Sequence, residues 1–168
     1  MAIDPKVFRS ALGRFATGVT VVTVKAEPAS RGMTANAFSS VSLDPPLVLV
    51  CVDHKANSLE LIRHAKRFAI NFLAEEQRRL SDWFAGKGRG TADQFAGIPH
   101  EAGENGSPIL NGHIGALECD LHQEYAGGDH SIFLGKVTRV LLPEEVRAPL
   151  LFYASAYRRM NLEAAFDS

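Results

Sequence analysis

The sequence predicts a mainly β fold: a closed antiparallel barrel with a few short flanking helices. Three observations carry this. About seven runs of strand length recur along the chain, rich in β-branched and aromatic residues. The helical stretches between them are few and short, whereas a doubly wound parallel sheet would alternate each strand with a helix. Hard turn signals, Asp44-Pro45-Pro46 and Ala126-Gly127-Gly128-Asp129, separate neighbouring runs.

Taken in order, Ile3 to Ala16 reads as a helix, with Asp4 and Pro5 at its cap and first turn, Phe8, Leu12 and Phe15 on one face, and Gly18 ending it. Val19 to Val24 is a β-branched strand. Gly32 to Leu43 alternates loosely between small, polar and apolar residues, as a strand leading toward a ligand would. Leu47 to Val52 is continuously apolar and of strand length, so it belongs in the centre. Asn57 is placed to cap a short helix through Lys66, with Glu60 completing a capping box. Phe68, Ile70 and Phe72 mark a strand, and Glu75 and Glu76 open an amphipathic helix carrying Leu80, Trp83 and Phe84, read as core.

A basic glycine loop, Gly86-Lys87-Gly88-Arg89-Gly90, leads into a Gly/Pro-rich connection reaching Gly112. Leu117, Cys119, Leu121 and Tyr125 then alternate with Glu118, Asp120, His122 and Glu124, giving one dry and one wet face. Ser131 to Leu142 returns as the partner strand of a long hairpin. Pro149 to Tyr153 is the last strand, ahead of the Tyr157-Arg158-Arg159 tail. With neither an internal repeat nor a linker, residues 1–168 are read as one domain.

The 18 basic and 19 acidic residues are nearly balanced and form no block of like charge, which disfavours nucleic acid and anionic lipid as partners. No run approaches the ~20 apolar residues of a membrane span, and the amino terminus lacks a secretory pattern. The expectation is a cytoplasmic protein. Cys51 and Cys119 stand outside any zinc-binding spacing and are read as reduced core thiols. Glu118, Asp120, His122 and Glu124 invite a metal reading, but same-strand residues diverge and a solvated face explains them better. His54, His64, His100 and His113 form no ligand motif, and the absence of a GxSxG elbow leaves hydrolysis unsupported.

The most informative stretch is Arg31-Gly32-Met33-Thr34-Ala35-Asn36-Ala37-Phe38-Ser39-Ser40-Val41-Ser42, which gathers hydroxyl and amide side chains in an otherwise apolar chain. A planar amphipathic ligand needs such a surface; so does the wet face of a barrel. The order of the motifs separates the two. Gly-Val-Thr-Val-Val-Thr from Gly18, Gly-Met-Thr-Ala-Asn-Ala-Phe-Ser-Ser-Val-Ser-Leu-Asp-Pro-Pro-Leu-Val from Gly32, Ala-Ile-Asn-Phe-Leu from Ala69 and Gly-Asp-His-Ser-Ile-Phe-Leu-Gly-Lys-Val from Gly128 closely resemble the short-chain flavin reductase family. With the opening helix and the Pro149 strand, the resemblance covers nearly the whole chain.

That resemblance implies a split β-barrel of the FMN-binding kind, antiparallel and Greek-key-like, with FMN or FAD at a homodimer interface. It implies a reductase that takes hydride from NADH or NADPH and passes reduced flavin to a separate monooxygenase. Thr34, Ala35, Asn36, Ser40, Val41 and Ser42 would line the flavin ring and ribityl chain, and Asn57 and Ser58 would meet the phosphate. A helix starting at Ser58 offers free N–H groups suited to a phosphate, although a plain helix cap needs the same residues. Lys87 and Arg89 either neutralise a phosphate or belong to a solvated loop, for their glycines lack a Rossmann context.

Asp129 and His130 match the family's nicotinamide-contacting motif. His130 is the leading catalytic candidate, with a turn role beside Asp129 as its alternative. Tyr157 is added on the substrate side, in a tail where relatives carry glycine near Ser155. No nucleophile is required, because hydride passes directly between cofactors held at about 3–3.5 Å. Two rival readings share the flavin site: a prosthetic-flavin enzyme reducing another planar acceptor such as a cobalt corrin, and a non-catalytic flavin-storage barrel.

Overall fold

The computed structural model describes residues 3–28, 30–88 and 90–163. Its elements, in chain order, are α1 (Pro5–Leu12), β1 (Thr17–Gly18), β2 (Thr20–Val24), β3 (Arg31–Ala35), β4 (Phe38–Leu43), β5 (Pro46–Asp53), α2 (Ser58–Ala65) and β6 (Arg67–Phe72). A 3-10 turn at Glu75–Gln77 leads into α3 (Arg78–Asp82) and a π turn at Trp83–Lys87. There follow β7 (His100–Ala102), β8 (Pro108–Leu110), β9 (Gly115–Gly127), β10 (His130–Leu141), β11 (Leu151–Tyr153) and β12 (Ala156–Arg158). No helix among the described residues is long and apolar enough to cross a membrane.

Seven strands form one antiparallel sheet in the order β3-β2-β6-β9-β10-β5-β4. Strands β3 and β4 stand at its two edges, yet Asn36 and Ala37 alone connect them. Such a link spans no more than about 11 Å. A flat sheet of this width would hold its edges roughly 29 Å apart at the usual strand spacing. The sheet must therefore curl to bring its edges within that reach, and the β4–β5 ladder runs on into the link, where the Cys51 amide donates to the Ala37 carbonyl at 3.0 Å.

Inside the barrel Val22, Val24, Val50, Val52, Phe68, Ile70, Cys119 and Phe133 form the main core, closed at one end by Leu59 and Ile62 of α2. A second cluster packs outside β2, built from Val19, Val21, Leu73, Phe84, Phe95, Leu110 and Leu150. Every residue of β2 is thus buried, which explains its unbroken β-branched run. Buried Asn71 pins the outer layer: its amide nitrogen donates to the Val21 carbonyl at 3.2 Å, and its oxygen accepts from the Leu110 amide at 2.8 Å.

Several expectations need correction. The first helix stops at Leu12 rather than Ala16, because Gly13 ends the hydrogen-bond ladder and its carbonyl is taken by the Ala154 amide at 2.6 Å; Phe15 lies beyond the helix and Gly18 within β1. The Asn57–Glu60 capping box does not form, since the Asn57 side chain makes no cap bond and Glu60 pairs with Arg63 at 2.5 Å. Gly32 to Leu43 is two strands, divided where it crosses the seam. Glu118 is not on a wet face: it is 1% exposed, accepting from the Asn105 amide at 2.7 Å and from the Arg139 guanidinium at 3.2 Å.

The tail is a hairpin, with β12 folding back on β11. Its two turn residues, Ala154 and Ser155, have φ of 49° and 60°, the left-handed pair that a tight I′ turn demands and that glycine adopts most easily. A glycine at either position would ease this backbone conformation.

Candidate active site along the barrel seam

The seam is built from β3. Thr34 Oγ1 donates to the Ser81 carbonyl at 2.7 Å, and the Ser81 and Tyr157 hydroxyls share a 2.8 Å hydrogen bond. Tyr157 also donates to Asp82 Oδ1 at 3.1 Å, while the Arg78 guanidinium lies 5.2 Å from the centre of its ring. Burial pushes the Tyr157 phenol upward, the hydrogen bond with Ser81 works against it, and Asp82 beside it adds to the upward shift. Thr34, Asn36, Ser81 and Tyr157, with Val19 and Phe152, enclose a cavity of about 170 Å³.

Asn36 also lines a second, adjoining groove of about 390 Å³, whose other walls are mainly apolar: Phe15, Val19, Phe38, Phe72, Leu73 and Ile114. Thr17 and Thr20 add hydroxyls there. Thr20 Oγ1 is committed to the Ala35 carbonyl at 2.7 Å, but Thr17 Oγ1 is buried without a partner. An exposed amide between an apolar slot and a hydroxyl-lined pocket suits a flat ring with polar edges.

At the other end of β3, Arg31, Gly32 and Met33 meet Ala56, Asn57, Ser58, Phe84 and Gln94 around a small cavity of about 40 Å³. Ser58 is 2% exposed, and its Oγ has no hydrogen-bond partner. It opens α2, whose N-terminal dipole end is positive, although the Leu59 amide is already committed to the Ala56 carbonyl at 3.1 Å. The Arg31 guanidinium donates only to carbonyls, that of Ala92 at 3.1 Å among them, so its charge is not offset by any ion pair among the described residues. Gly32 is required by close approach: a Cβ there would sit 2.7 Å from the Phe84 ring. The residues therefore fit a phosphate here, and β3 sets it about 10–17 Å from Asn36 at the usual rise per residue.

A third group occupies the β9–β10 hairpin tip. The turn is Gly128-Asp129, with Gly128 at φ 74°. His130 Nδ1 lies 2.7 Å from Asp129 Oδ1, and that hydrogen bond, with the histidine's charge, holds the Asp129 carboxyl below its usual range. Behind the tip, His54 donates its amide to the Asp129 carbonyl at 3.0 Å, and Ser131 Oγ lies 3.4 Å from His54 Nε2. Arg63 grips Glu124 at 2.6 Å and reaches Ser131 Oγ at 3.3 Å.

The structure thus brings Thr34, Asn36 and Tyr157 to one cavity, and Asn57 and Ser58 to another. Ala35 is buried at the seam, offering its carbonyl. His130 and Asp129 stand together at the hairpin tip, outside both. Ser40, Val41 and Ser42 lie on the edge strand β4, where a bulge leaves Val41 unpaired between Ser40 and Ser42. Lys87 is exposed and paired with Asp82 at 3.3 Å, and Arg89 lies outside the described residues. Sequence reasoning missed Ser81, Asp82, Arg31 and Gln94. A serine on the apolar face of a helical run was the available signal for Ser81.

A curled antiparallel barrel, split between β3 and β4, with polar groups along its seam and a helix over one end defines the split-barrel class of cofactor-binding proteins. Within that class the chain belongs to the flavin reductase like domain family, whose model matches residues 12–161. It is 38% identical, over 96% of its length and 85% of the relative's, to the reductase subunit HsaB of a flavin-dependent monooxygenase from Mycobacterium tuberculosis. It is 43% identical to an NADH-dependent FAD reductase of Streptomyces globisporus, covering 96% of this chain and 91% of the relative. The NADH:FAD oxidoreductase of Streptomyces globisporus solved in complex with NAD and FAD fragments superposes with a TM-score of 0.89 at 40% identity, over 98% of this chain and 99% of that one.

Proposed function

We propose that this protein is an NAD(P)H-dependent flavin reductase that supplies reduced flavin to a separate monooxygenase. One observation carries the reading: a single strand, β3, joins a phosphate-sized pocket holding an unpartnered buried hydroxyl to a ring-sized groove edged by Asn36. Relatives named as reductase subunits of monooxygenases and as NADH-dependent FAD reductases support it.

Bound flavin supplies the hydride-accepting ring and the nicotinamide supplies the donor. In this reading Ser58 Oγ, the Asn57 amide and the Ser58 N–H bind the phosphate, and Arg31 offsets its charge. Asn36 and Thr34 meet the polar edge of the ring, with Thr34 fixed by its bond to Ser81 and Tyr157 held alongside. Phe15, Phe38 and Phe72 exclude water from the groove. His130, oriented by Asp129, steers the nicotinamide toward the ring. Ser40, Val41 and Ser42 complete the site from the edge strand.

A second copy of the chain is part of the proposal. The α1 residues Val7, Phe8 and Leu12, with Phe15, Val41 and Leu43, are large apolar side chains left exposed, Leu43 at 95%. Together with the open edge of β4 they make a surface suited to a homodimer. The two reduced thiols and the use of a nicotinamide donor accord with a cytoplasmic setting.

The test is to mix the protein with NADH and excess FMN or FAD and follow the nicotinamide absorbance. Oxidation well above the protein-free rate is expected; a rate equal to the control would defeat the reading. In the same assay His130→Ala should raise the KM for NADH about tenfold while flavin affinity, read by fluorescence quenching, stays within about twofold. Loss of flavin binding in that variant would remove His130 from the nicotinamide side.

A further inference from the structure

The barrel has another cavity, of about 360 Å³, at the far end of β2 and β6 from Asn36. Lys25, Ala26 and Glu27 line it where the chain leaves β2, Leu61, His64 and Ala65 from α2, Arg67 from the start of β6, and Asn105 and Ser107 from the turn before β8. It shares no residue with the seam cavities, and none of the roles proposed above uses it. We propose that it binds a small organic monoanion, a carboxylate carried on a compact apolar body.

Four features support this. The wall is rigidly built: buried Glu118, itself paired with Arg139, accepts the Asn105 amide at 2.7 Å, and the Asn105 side chain donates to the Phe68 carbonyl at 3.1 Å. In that wall Ser107 is 1% exposed, and its Oγ finds no hydrogen-bond partner in the chain, so a buried donor is available to a ligand. Lys25 and Arg67 form no ion pair among the described residues, and the Lys25 stem is packed against Gly106, whose added Cβ would lie 3.1 Å from Lys25 Cδ.

The charge balance fixes the class. Two cations against Glu27 leave the lining net positive by one charge from these residues, which matches a monoanion and works against a dianion. The volume lies within the range of small-molecule sites and exceeds what a bare oxyanion fills, while Leu61, Ala26 and Ala65 offer an apolar surface for the rest of the ligand. The Arg67 guanidinium and the Lys25 ammonium suit the carboxylate head, and Ser107 adds a hydroxyl donor.

The inference is independent of the flavin reading, and its test is too. The full chain, ¹⁵N-labelled and saturated with FMN, would be titrated with benzoate, with benzamide as the uncharged twin and with inorganic phosphate as the bare oxyanion. Benzoate is expected to shift the amides of Lys25, Ala26, Ala65, Asn105 and Ser107 saturably, and Arg67→Gln and Lys25→Gln each to weaken it about tenfold while the rest of the spectrum is unchanged. The site would be overturned if benzoate gave no saturable shifts there, if benzamide or phosphate bound as tightly as benzoate, or if both variants bound it as the parent does. The same titration without FMN should give the same map, which separates this site from any competition at the seam.

Discussion

Strands β3 and β4 are consecutive, both mix polar with apolar residues, and are separated by two residues, yet their surroundings differ. Strand β3 pairs with β2 on one side, faces the Phe84 ring across Gly32, and hands Thr34 to Ser81. Strand β4 pairs with β5 and leaves its other edge open, with Ser39, Ser40, Val41 and Leu43 exposed. The difference teaches that what a polar strand does is decided by what packs on its free side. Alpha-helical cover turns β3 into a binding surface, while its absence leaves β4 a candidate contact for another chain.

The comparison breaks most directly at Gly32. Gly32→Val drives side-chain atoms into Phe84 and should cost about 1–3 kcal/mol in urea denaturation, whereas Ser40→Val on β4 should stay within about 0.5 kcal/mol. Equal effects would erase the distinction. Next in size, Val41→Asp places a charge on the proposed contact strand and should raise the dimer dissociation constant by about tenfold or more in sedimentation experiments, without unfolding the chain. A concentration-independent monomer in the parent protein would dispose of the dimer.

The smallest effect concerns pH. Burial works to raise the Asp82 pKa, but hydrogen bonds from Tyr157 and Lys87 outweigh it and hold the carboxyl below its usual value. A depressed carboxyl contributes stability above its unfolded pKa, about 3.9, and that contribution is lost as the pH falls through the folded value. Tyr157→Phe should therefore destabilise by about 0.5–1 kcal/mol near neutrality, with the deficit narrowing on acidification below about pH 4. A deficit that is constant across that window would mean the phenol does not support the carboxylate.

Much of the barrel was legible because its signals are local. The β-branched Val19–Val24 run, the apolar Leu47–Val52 run and the long hairpin each announce a strand within a few residues, and the motif order pointed to the family. What stayed hidden depends on distant partners. Ser81 meets Tyr157 across 76 positions, and no periodicity links them. Glu118 resembles its solvated neighbours until Arg139 and Asn105 are brought to it. The Asn57–Glu60 spacing satisfied a capping rule, yet Glu60 found a stronger partner in Arg63.

The crossing at Asn36 and Ala37 acts as a gauge for the whole barrel. Side chains alternate faces along the strand that follows, and Phe38 at its start packs against Phe72 with ring centres 5.3 Å apart. One added residue there would turn Phe38 away from Phe72 and exchange the inward and outward sides of β4 together. At this crossing even a single-codon insertion bears on the whole of β4.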